Sequence, residues 1–398
     1  MTRYALSYAD WSGAEYRSVA RSLLGGGVRQ GRASAQLASC LQADYAPSRA
    51  YALNYAHTAL ALALAAFKWR RPQRDVVLVP AYICPSVVST ITACGLQAQP
   101  VAVGDDLNLD LAALRQALEQ APLALVAPHM FACPLPMAEI EADCRAAGVF
   151  LVDDAAQVAG VRHQGRLLGT FGDVGLLSFA QSKTIVTGIR GSGGVLLVND
   201  PALDDELAAA CAALPPSPGR LAALLEFCWN YLWAERTGAS GDHLERLLDT
   251  LGLRPADAGA VQARISNLDA GIALAQWPRL DAIVAARRTV AAHYHAALQE
   301  QDAIGFPQFA PGRYLARVML LLPEGSDLAA CRTQLRRHGI QTRLGYRVPF
   351  AEQAATRHAQ ALAARLLGVP SGPRISAQDS RDICRQLGRT LSDFHLKA

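Results

Sequence analysis

Between residues 75 and 200 the chain alternates short apolar runs with segments of helical periodicity, and this alternation constrains its fold more than any other feature. The runs are Val76–Val79, Gln99–Val103, Leu123–Ala127, Val149–Val152, Gly175–Phe179 and Val195–Val198. Several are apolar without a polar residue at every second place, the pattern of strands covered on both faces. Between them Pro85–Cys94, Asp110–Glu119 and Met137–Ala147 repeat their apolar residues at helical spacing, the last closed by Ala147-Gly148. Strand, helix, strand in succession predicts an α/β fold with a mostly parallel, helix-covered sheet.

Leu214-Pro-Pro-Ser-Pro-Gly219 breaks the alternation. Helical sequence follows, up to a long segment from Asn267 to Gln301; a β-type run, Tyr314–Leu322, then precedes helices around Asp327–His338 and Gln378–Leu391. This is the make-up of a smaller α+β unit. At roughly 150 residues per domain, 398 residues suit a large domain over 1–255, with a helical insertion at about 200–255, and a small C-terminal domain over 256–398.

Composition narrows the function classes. Lys and Arg number 38 against 34 Asp and Glu, a net +4 that is too small over this length for a phosphate-backbone footprint, so no nucleic-acid partner is expected. The nine cysteines form no CxxC and no paired His spacing, so neither a disulfide framework nor a metal site is expected, and a reducing cytoplasmic setting fits. The first residues lack the charged-then-apolar run of a signal peptide. Ala50–Phe67 imitates a membrane span but contains Asn54 and His57, and it reads as a buried helix; Leu221–Ala234 is too short and carries Glu226 and Asn230, so it reads as an amphipathic or docking helix.

In open α/β sheets ligands bind beyond the carboxyl ends of the strands. Three such ends stand out. Val149-Phe-Leu-Val-Asp-Asp154 runs into Ala155-Ala156-Gln157, Gly175-Leu-Leu-Ser178-Phe179 exits into Ala180-Gln181-Ser182-Lys183, and Pro80-Ala-Tyr-Ile-Cys84-Pro85 opens a helix. A carboxylate, a hydroxyl and a lysine at neighbouring tips match what pyridoxal phosphate (PLP) demands: an amine to bind its aldehyde, an acid to keep its ring nitrogen protonated, and hydroxyls or helix-start amides for its phosphate. Singly, such an Asp is more often a helix cap and such a Lys a solvated surface residue. The ordered set carries the reading.

Leu151-Val-Asp-Asp-Ala-Ala-Gln157, then Gly172-Asp-Val-Gly-Leu-Leu-Ser-Phe179, Lys183 and Gly193-Gly194, resembles the DegT/DnrJ/EryC1/StrS family of PLP-dependent, sugar-modifying aminotransferases. The likeness extends over about residues 15–390 through Leu24–Gly31, Thr58-Ala59, Pro80–Ser86, Pro128-His-Met-Phe131, Arg264-Ile-Ser-Asn-Leu-Asp-Ala270, Gly339-Ile-Gln-Thr342 and Pro370, with about 200–255 poorly matched. It implies PLP fold type I, with Lys183 as the cofactor-binding lysine and general acid/base and Asp154 as partner of the pyridinium nitrogen. Gln157 would contact the ring hydroxyl, and Ser178 and Thr58 the phosphate. Thr58 also suits the start of an Ala59–Phe67 helix, where the plain alternative is an N-cap. His129 falls in a His-aromatic motif of the family, either in the substrate pocket or behind it.

Departures from the pattern fall on cofactor positions. His57 stands where the family has Gly, Cys84 where it has an aromatic over the ring, and Gln262 where it has an Asn contributed by the neighbouring subunit. The stretch from Lys183 to Gly194 is longer than usual and brings Arg190, a fork suited to a substrate carboxylate or phosphate. Arg264 follows Gln262 toward the same shared site. The resemblance thus implies a homodimer with shared active sites that moves an amino group from a donor such as glutamate to a keto acceptor, a nucleotide-linked deoxysugar. Two alternatives stay open: a non-sugar ketone in secondary metabolism, and a non-catalytic regulator on the same fold. The dehydratase branch lacks the lysine that this chain keeps.

Overall fold

The computed structural model describes residues 3–6, 11–189, 191–218, 220–229, 250, 261–301 and 303–395. Helix α1 (Gly13–Leu24) starts at a capping box in which the Ser12 hydroxyl accepts from the Ala14 amide and Glu15 reaches back to the Ser12 amide. Helix α2 (Arg32–Asp44) has only Gly31 at its start, so its cap comes from afar: Asn267 Oδ1 accepts from the Ala33 amide at 2.8 Å.

Seven strands form the central sheet: β1 (Arg49–Leu53), β2 (Val76–Pro80), β3 (Gln97–Val101), β4 (Ala124–Pro128), β5 (Phe150–Asp154), then, after the short hairpin β6 (Arg162–His163) and β7 (Arg166–Leu167), β8 (Val174–Ser178) and β9 (Gly194–Val198). Their order is β1-β9-β8-β5-β4-β2-β3. Only β9 runs against its neighbours. All six runs expected between residues 75 and 200 are strands of this sheet, shifted by two residues or fewer.

Period-two alternation divides the core between the two faces. Leu78, Leu125, Leu151, Leu177 and Leu197 pack with α2, α5 (Leu111–Leu118) and α6 (Met137–Ala147). Val79, Val126, Val152, Leu176 and Leu196 pack with α3 (Ala56–Arg70), α4 (Pro85–Ala93) and α7 (Asp204–Ala213). Each helix fills one side of a sheet whose central strands are buried throughout.

Two expected helices are corrected. Ala50–Phe67 is not one buried helix: Arg49–Leu53 is an edge strand paired with β9, and the helix begins only at Ala56. Half-buried Ala and Tyr at the edge carry no distinct strand signal, and the Ala/Leu run behind them hides the break at Asn54-Tyr55. Asn267–Gln301 is likewise two helices, α9 (Asn267–Gln276) and α10 (Leu280–Leu298), parted by a 3-10 turn at Trp277–Arg279. Pro278 lacks the amide that a continuous helix needs there. Of Leu221–Ala234, α8 (Leu221–Phe227) is helical, and residues 230–234 lie outside the described residues.

Helix α9 packs on α1 and α2, and its Asp269 makes a buried ion pair with Arg220 at 2.8 Å. The chain's last third adds β10 (Val318–Leu321), α11 (Leu328–Arg337), β11 (Arg343–Leu344), α12 (Ala354–Ala363), β12 (Leu366–Val369) and α13 (Ala377–His395). The three strands form a separate antiparallel sheet in the order β10-β12-β11, over a core shared with α10 and α13. Of the expected run Tyr314–Leu322, only Val318–Leu321 is strand. All nine cysteines are unpaired. No helix of the described residues is long and apolar enough to cross a membrane.

Candidate active site

Side-chain alternation decides which strand-end groups meet. Asp154 shares its face with Val152, and Ser178 shares the face of Leu176, both on the α3 side of the sheet. There a cavity of about 530 Å3 opens beyond the strand ends, lined by Asp154, Gln157, Ser178 and Lys183 together with His57, Cys84, Arg317, Arg343 and Tyr346. Asp154, Ser178 and Lys183, within 29 positions of one another, and Arg317, Arg343 and Tyr346, 134 to 163 positions beyond Lys183, thereby reach one space.

Asp153 turns the other way. Its carboxylate is fully buried and accepts from the amides of Gly169 (2.6 Å) and Phe171 (3.1 Å) and from His129 Nε2 (2.8 Å). The other ring nitrogen, His129 Nδ1, accepts from the Leu135 amide, which fixes the proton on Nε2. His129 is therefore engaged behind the strand ends and is not among the residues lining the cavity.

Lys183 follows Ser182, whose φ of +62° is unusual for a residue with a side chain, so the turn that aims the lysine is strained. Its carbonyl is held by Arg287 Nη2 at 3.0 Å. Burial and then the nearby Arg317 cation push its amine pKa down, against the pull of Asp154. A lysine tilted toward the neutral amine is a competent nucleophile and base. Asp154 is shifted up by burial, opposed by Lys183 and by the Ala156 amide at 3.1 Å. A cationic partner in this dry setting would stabilise its charged form.

Three features test the fit to PLP. Gln157 Oε1 is buried and has no hydrogen-bond partner, so an acceptor beside Asp154 is left for a group in the cavity. Helix α3 begins at Tyr55 without a side-chain cap and presents its first turn, Ala56-His57, to the cavity, a ready anion site. Beneath that turn runs Gly193-Gly194: Gly193 has φ +141°, and a Cβ on Gly194 would lie 2.2 Å from the Ala56 nitrogen. Only glycine lets β9 pass so close under the helix start. The residues fit the cofactor. Bound there, PLP supplies an electrophilic aldehyde and an electron-accepting ring.

The other expected residues fall as follows. Thr58 lies in the first turn of α3 and not before it; its hydroxyl donates to Asn54 Oδ1 at 2.8 Å and it does not line the cavity. His57 does line it, and burial, followed by the Lys183 charge, lowers its pKa to about 4, so near pH 7 it is neutral. Cys84 lines it too, as N-cap of α4, its Sγ 3.0 Å from Ser86 Oγ. Gln262 and Arg264 are exposed beside β1, where Arg264 bridges Leu53, and neither reaches the cavity of its own chain. Arg190 lies outside the described residues.

Sequence reasoning missed Arg317, Arg343 and Tyr346. Arg343 and Tyr346 directly follow the Gly339–Thr342 motif, and the Tyr346 amide donates to Tyr82 Oη at 2.8 Å across the cavity wall. Arg317 stood as a lone charge in an otherwise apolar run, Tyr314–Leu322. That oddity was the available signal.

A parallel-centred sheet with a lysine, an acid and an uncapped helix start converging beyond its strand ends defines a PLP-dependent aminotransferase of fold type I. Residues 11–388 match the model of the DegT/DnrJ/EryC1/StrS aminotransferase family, and the chain belongs to that family. It is 26% identical over 322 residues to the erythromycin biosynthesis sensory transduction protein EryC1 of Saccharopolyspora erythraea, covering 77% of this chain and 76% of that one. It is 24% identical over 352 residues to GDP-perosamine synthase of Escherichia coli O157:H7, covering 86% of each. Among solved structures it resembles Helicobacter pylori PseC, an aminotransferase involved in pseudoaminic acid biosynthesis, with a TM-score of 0.77, 14% identity, and coverage of 98% and 99%.

Proposed function

We propose that the protein moves an amino group from a donor such as glutamate to a keto group of a nucleotide-linked deoxysugar, and that it does so as a cytoplasmic homodimer. One observation carries the chemistry: Lys183, Asp154, Gln157 and Ser178 line the same cavity as the open start of α3. GDP-perosamine synthase among the relatives supports the acceptor class.

In this reading Lys183 carries the proton at the carbon that loses or gains the amino group, in both halves of the exchange. Asp154 holds the proton on the ring nitrogen, Gln157 contacts the ring hydroxyl, and Ser178 with the α3 amides binds the phosphate. Cys84, which lines the same cavity, would face the ring. Purified protein loaded with PLP should absorb in the visible, lose that band when glutamate is added, and aminate a member of a panel of keto-sugar nucleotides, read by product mass. A visible band with no aminated product from any sugar nucleotide would refute the acceptor class.

Gln262 and Arg264 belong to the same proposal. Exposed and absent from the lining of their own cavity, they would complete the site of the partner subunit across a two-fold axis. Lys183→Ala protein mixed with a Gln262→Ala/Arg264→Ala double mutant should then regain activity, because one of the two sites in each mixed dimer has both halves intact. Absence of recovery despite demonstrated subunit exchange rules out shared sites. If Arg264 merely pairs on its own surface, its loss costs about 0–1 kcal/mol and no activity.

A further inference from the structure

Arg287 of α10 is buried, with 6% of its surface exposed, and its two terminal nitrogens are divided between segments far apart in sequence. Nη2 donates to the Lys183 carbonyl at 3.0 Å and Nη1 to the Ala316 carbonyl at 2.9 Å. Both acceptors are neutral. Among the described residues no carboxylate pairs with this guanidinium, and its Nε is buried without a partner. An unpaired cation held out of water by neutral groups costs stability, and an apolar side chain would fill the same space without that cost. Packing does not account for an arginine here.

The two segments that the fork joins do account for it. Lys183 lies in the turn after β8, directly behind Ser182 at φ +62°, a conformation that persists only where neighbours hold it. Ala316 lies in the lead to β10 of the second sheet. The residue after the lysine is fastened to the same lead, since Thr184 Oγ1 is 2.9 Å from Tyr314 Oη and donates to the Gln157 carbonyl at 3.4 Å. We propose that Arg287 is a positioning residue for the reaction: by bonding the Lys183 and Ala316 carbonyls together it holds the turn that aims the lysine amine into the cavity. A guanidinium suits the task because its planar fork presents two donors at a fixed spacing, whereas an ammonium is a point. The inference rests on the aminotransferase reading for what the amine does, and goes beyond it by naming the group that keeps the amine in place.

The amine shares its cavity with Tyr55 and His57 at the start of α3, Cys84 at the start of α4, Asp154 of β5, Arg317 ahead of β10, Arg343 of β11 and Tyr346 just past it. Burial and then Arg317 hold its pKa down, against Asp154 and Cys84. A turn released from Arg287 lets the amine swing toward water, so its hold on a proton should climb back toward that of an ordinary lysine. The sequence has only three lysines, Lys68, Lys183 and Lys397, so the change can be read without turnover. Apoprotein of wild type, Arg287→Lys, Arg287→Gln and Arg287→Met is pulse-labelled with trace acetic anhydride between about pH 6 and 11, and each lysine peptide is followed by mass. Half-maximal labelling of Lys183 should fall at a pH about 1 higher in Arg287→Gln and Arg287→Met than in wild type, with Arg287→Lys between. Lys68, paired with Asp75, should label alike in all of them. Arg288→Met, which removes an exposed charge from the next position of α10, should leave Lys183 as it is in wild type.

With PLP loaded, kcat of Arg287→Met near neutral pH should drop about 10-fold, the matching loss of free amine, and recover most of that loss about two pH units higher, while the KM for glutamate changes little. An arginine that only stabilises the fold would lower activity by one fraction at every pH, and that result overturns the proposal. So does wild-type labelling of Lys183 in Arg287→Met whose circular dichroism and melting temperature show it folded, or an equal displacement in Arg288→Met. If Arg287→Met and Arg287→Gln do not fold, Arg287→Lys decides: labelling displaced to higher pH upholds the assignment, and labelling as in wild type overturns it. The labelling needs neither cofactor nor substrate. Wild type that turns over no donor would therefore sink the aminotransferase reading alone, and the displaced labelling would still stand or fall by itself.

Discussion

Lys183→Ala protein is expected to lose transamination by about 10³-fold or more, within the range that a positioned acid/base contributes alone, while still binding PLP without a covalent link. Only the lysine is lost: the open start of α3, Gln157 and Asp154 remain as they were. The visible band of the lysine-bound cofactor should be absent, equilibrium dialysis should still show PLP bound, and small primary amines should restore part of the turnover as a free base. The wild-type amine is suited to its work because burial and Arg317 both disfavour its protonated form. Retention of full turnover by Lys183→Ala would remove this residue from the mechanism.

The adjacent carboxylates should part company under mutation. Asp154→Asn is expected to lower kcat by about 10²-fold, because an amide cannot hold the proton on the ring nitrogen and the cofactor becomes a poor electron acceptor. Its apoprotein should be at least as stable as wild type, since burial already strains the Asp154 charge and pushes its pKa up. Asp153→Asn should do the reverse. That carboxylate anchors two backbone amides and His129; charge-assisted bonds of this kind are worth ~1.5–3 kcal/mol each, so thermal stability falls while the remaining folded protein keeps most of its activity. Activity and melting temperature, measured on both variants, give a crossed pattern. Equal losses of kcat would mean that the strand register is misassigned.

That contrast also shows what the sequence discloses and why. A strand points its neighbours to opposite faces, so the order Leu151-Val-Asp-Asp154 already separates one acid from the other once the chain is set in a sheet, and the buried central strands announce themselves by apolar runs. Edge structure is quieter. Arg49–Leu53 has one buried residue in five, and no periodicity marks it off from the helix that follows. Arg317 and Tyr346 were marked in the sequence, one as a lone charge in an apolar run and the other just past a motif, but their place in the fold was not. Nothing local ties them to Lys183; the folding of the second sheet against the first brings them there. Thr58, which resemblance sets beside the phosphate, has its hydroxyl held by Asn54, four residues earlier, a contact that no spacing in the sequence announces.

Arg287 bears on how the protein becomes active. From α10 it donates through Nη1 to the carbonyl of Ala316 (2.9 Å) and through Nη2 to that of Lys183 (3.0 Å), and the residue after the lysine, Thr184, is tied to Tyr314 Oη at 2.9 Å. The backbone that aims the amine is thus fastened by side chains that a ribosome adds long after it: Arg287 comes 104 residues behind Lys183. At about 5–20 residues per second, a nascent chain carries its lysine for an interval on the order of ten seconds before the parts that set it exist. Asp154, Ser178 and the α3 start are complete well before then. The residues that would hold the ring and phosphate thus all precede, in order of synthesis, the side chains that fasten the backbone of the lysine.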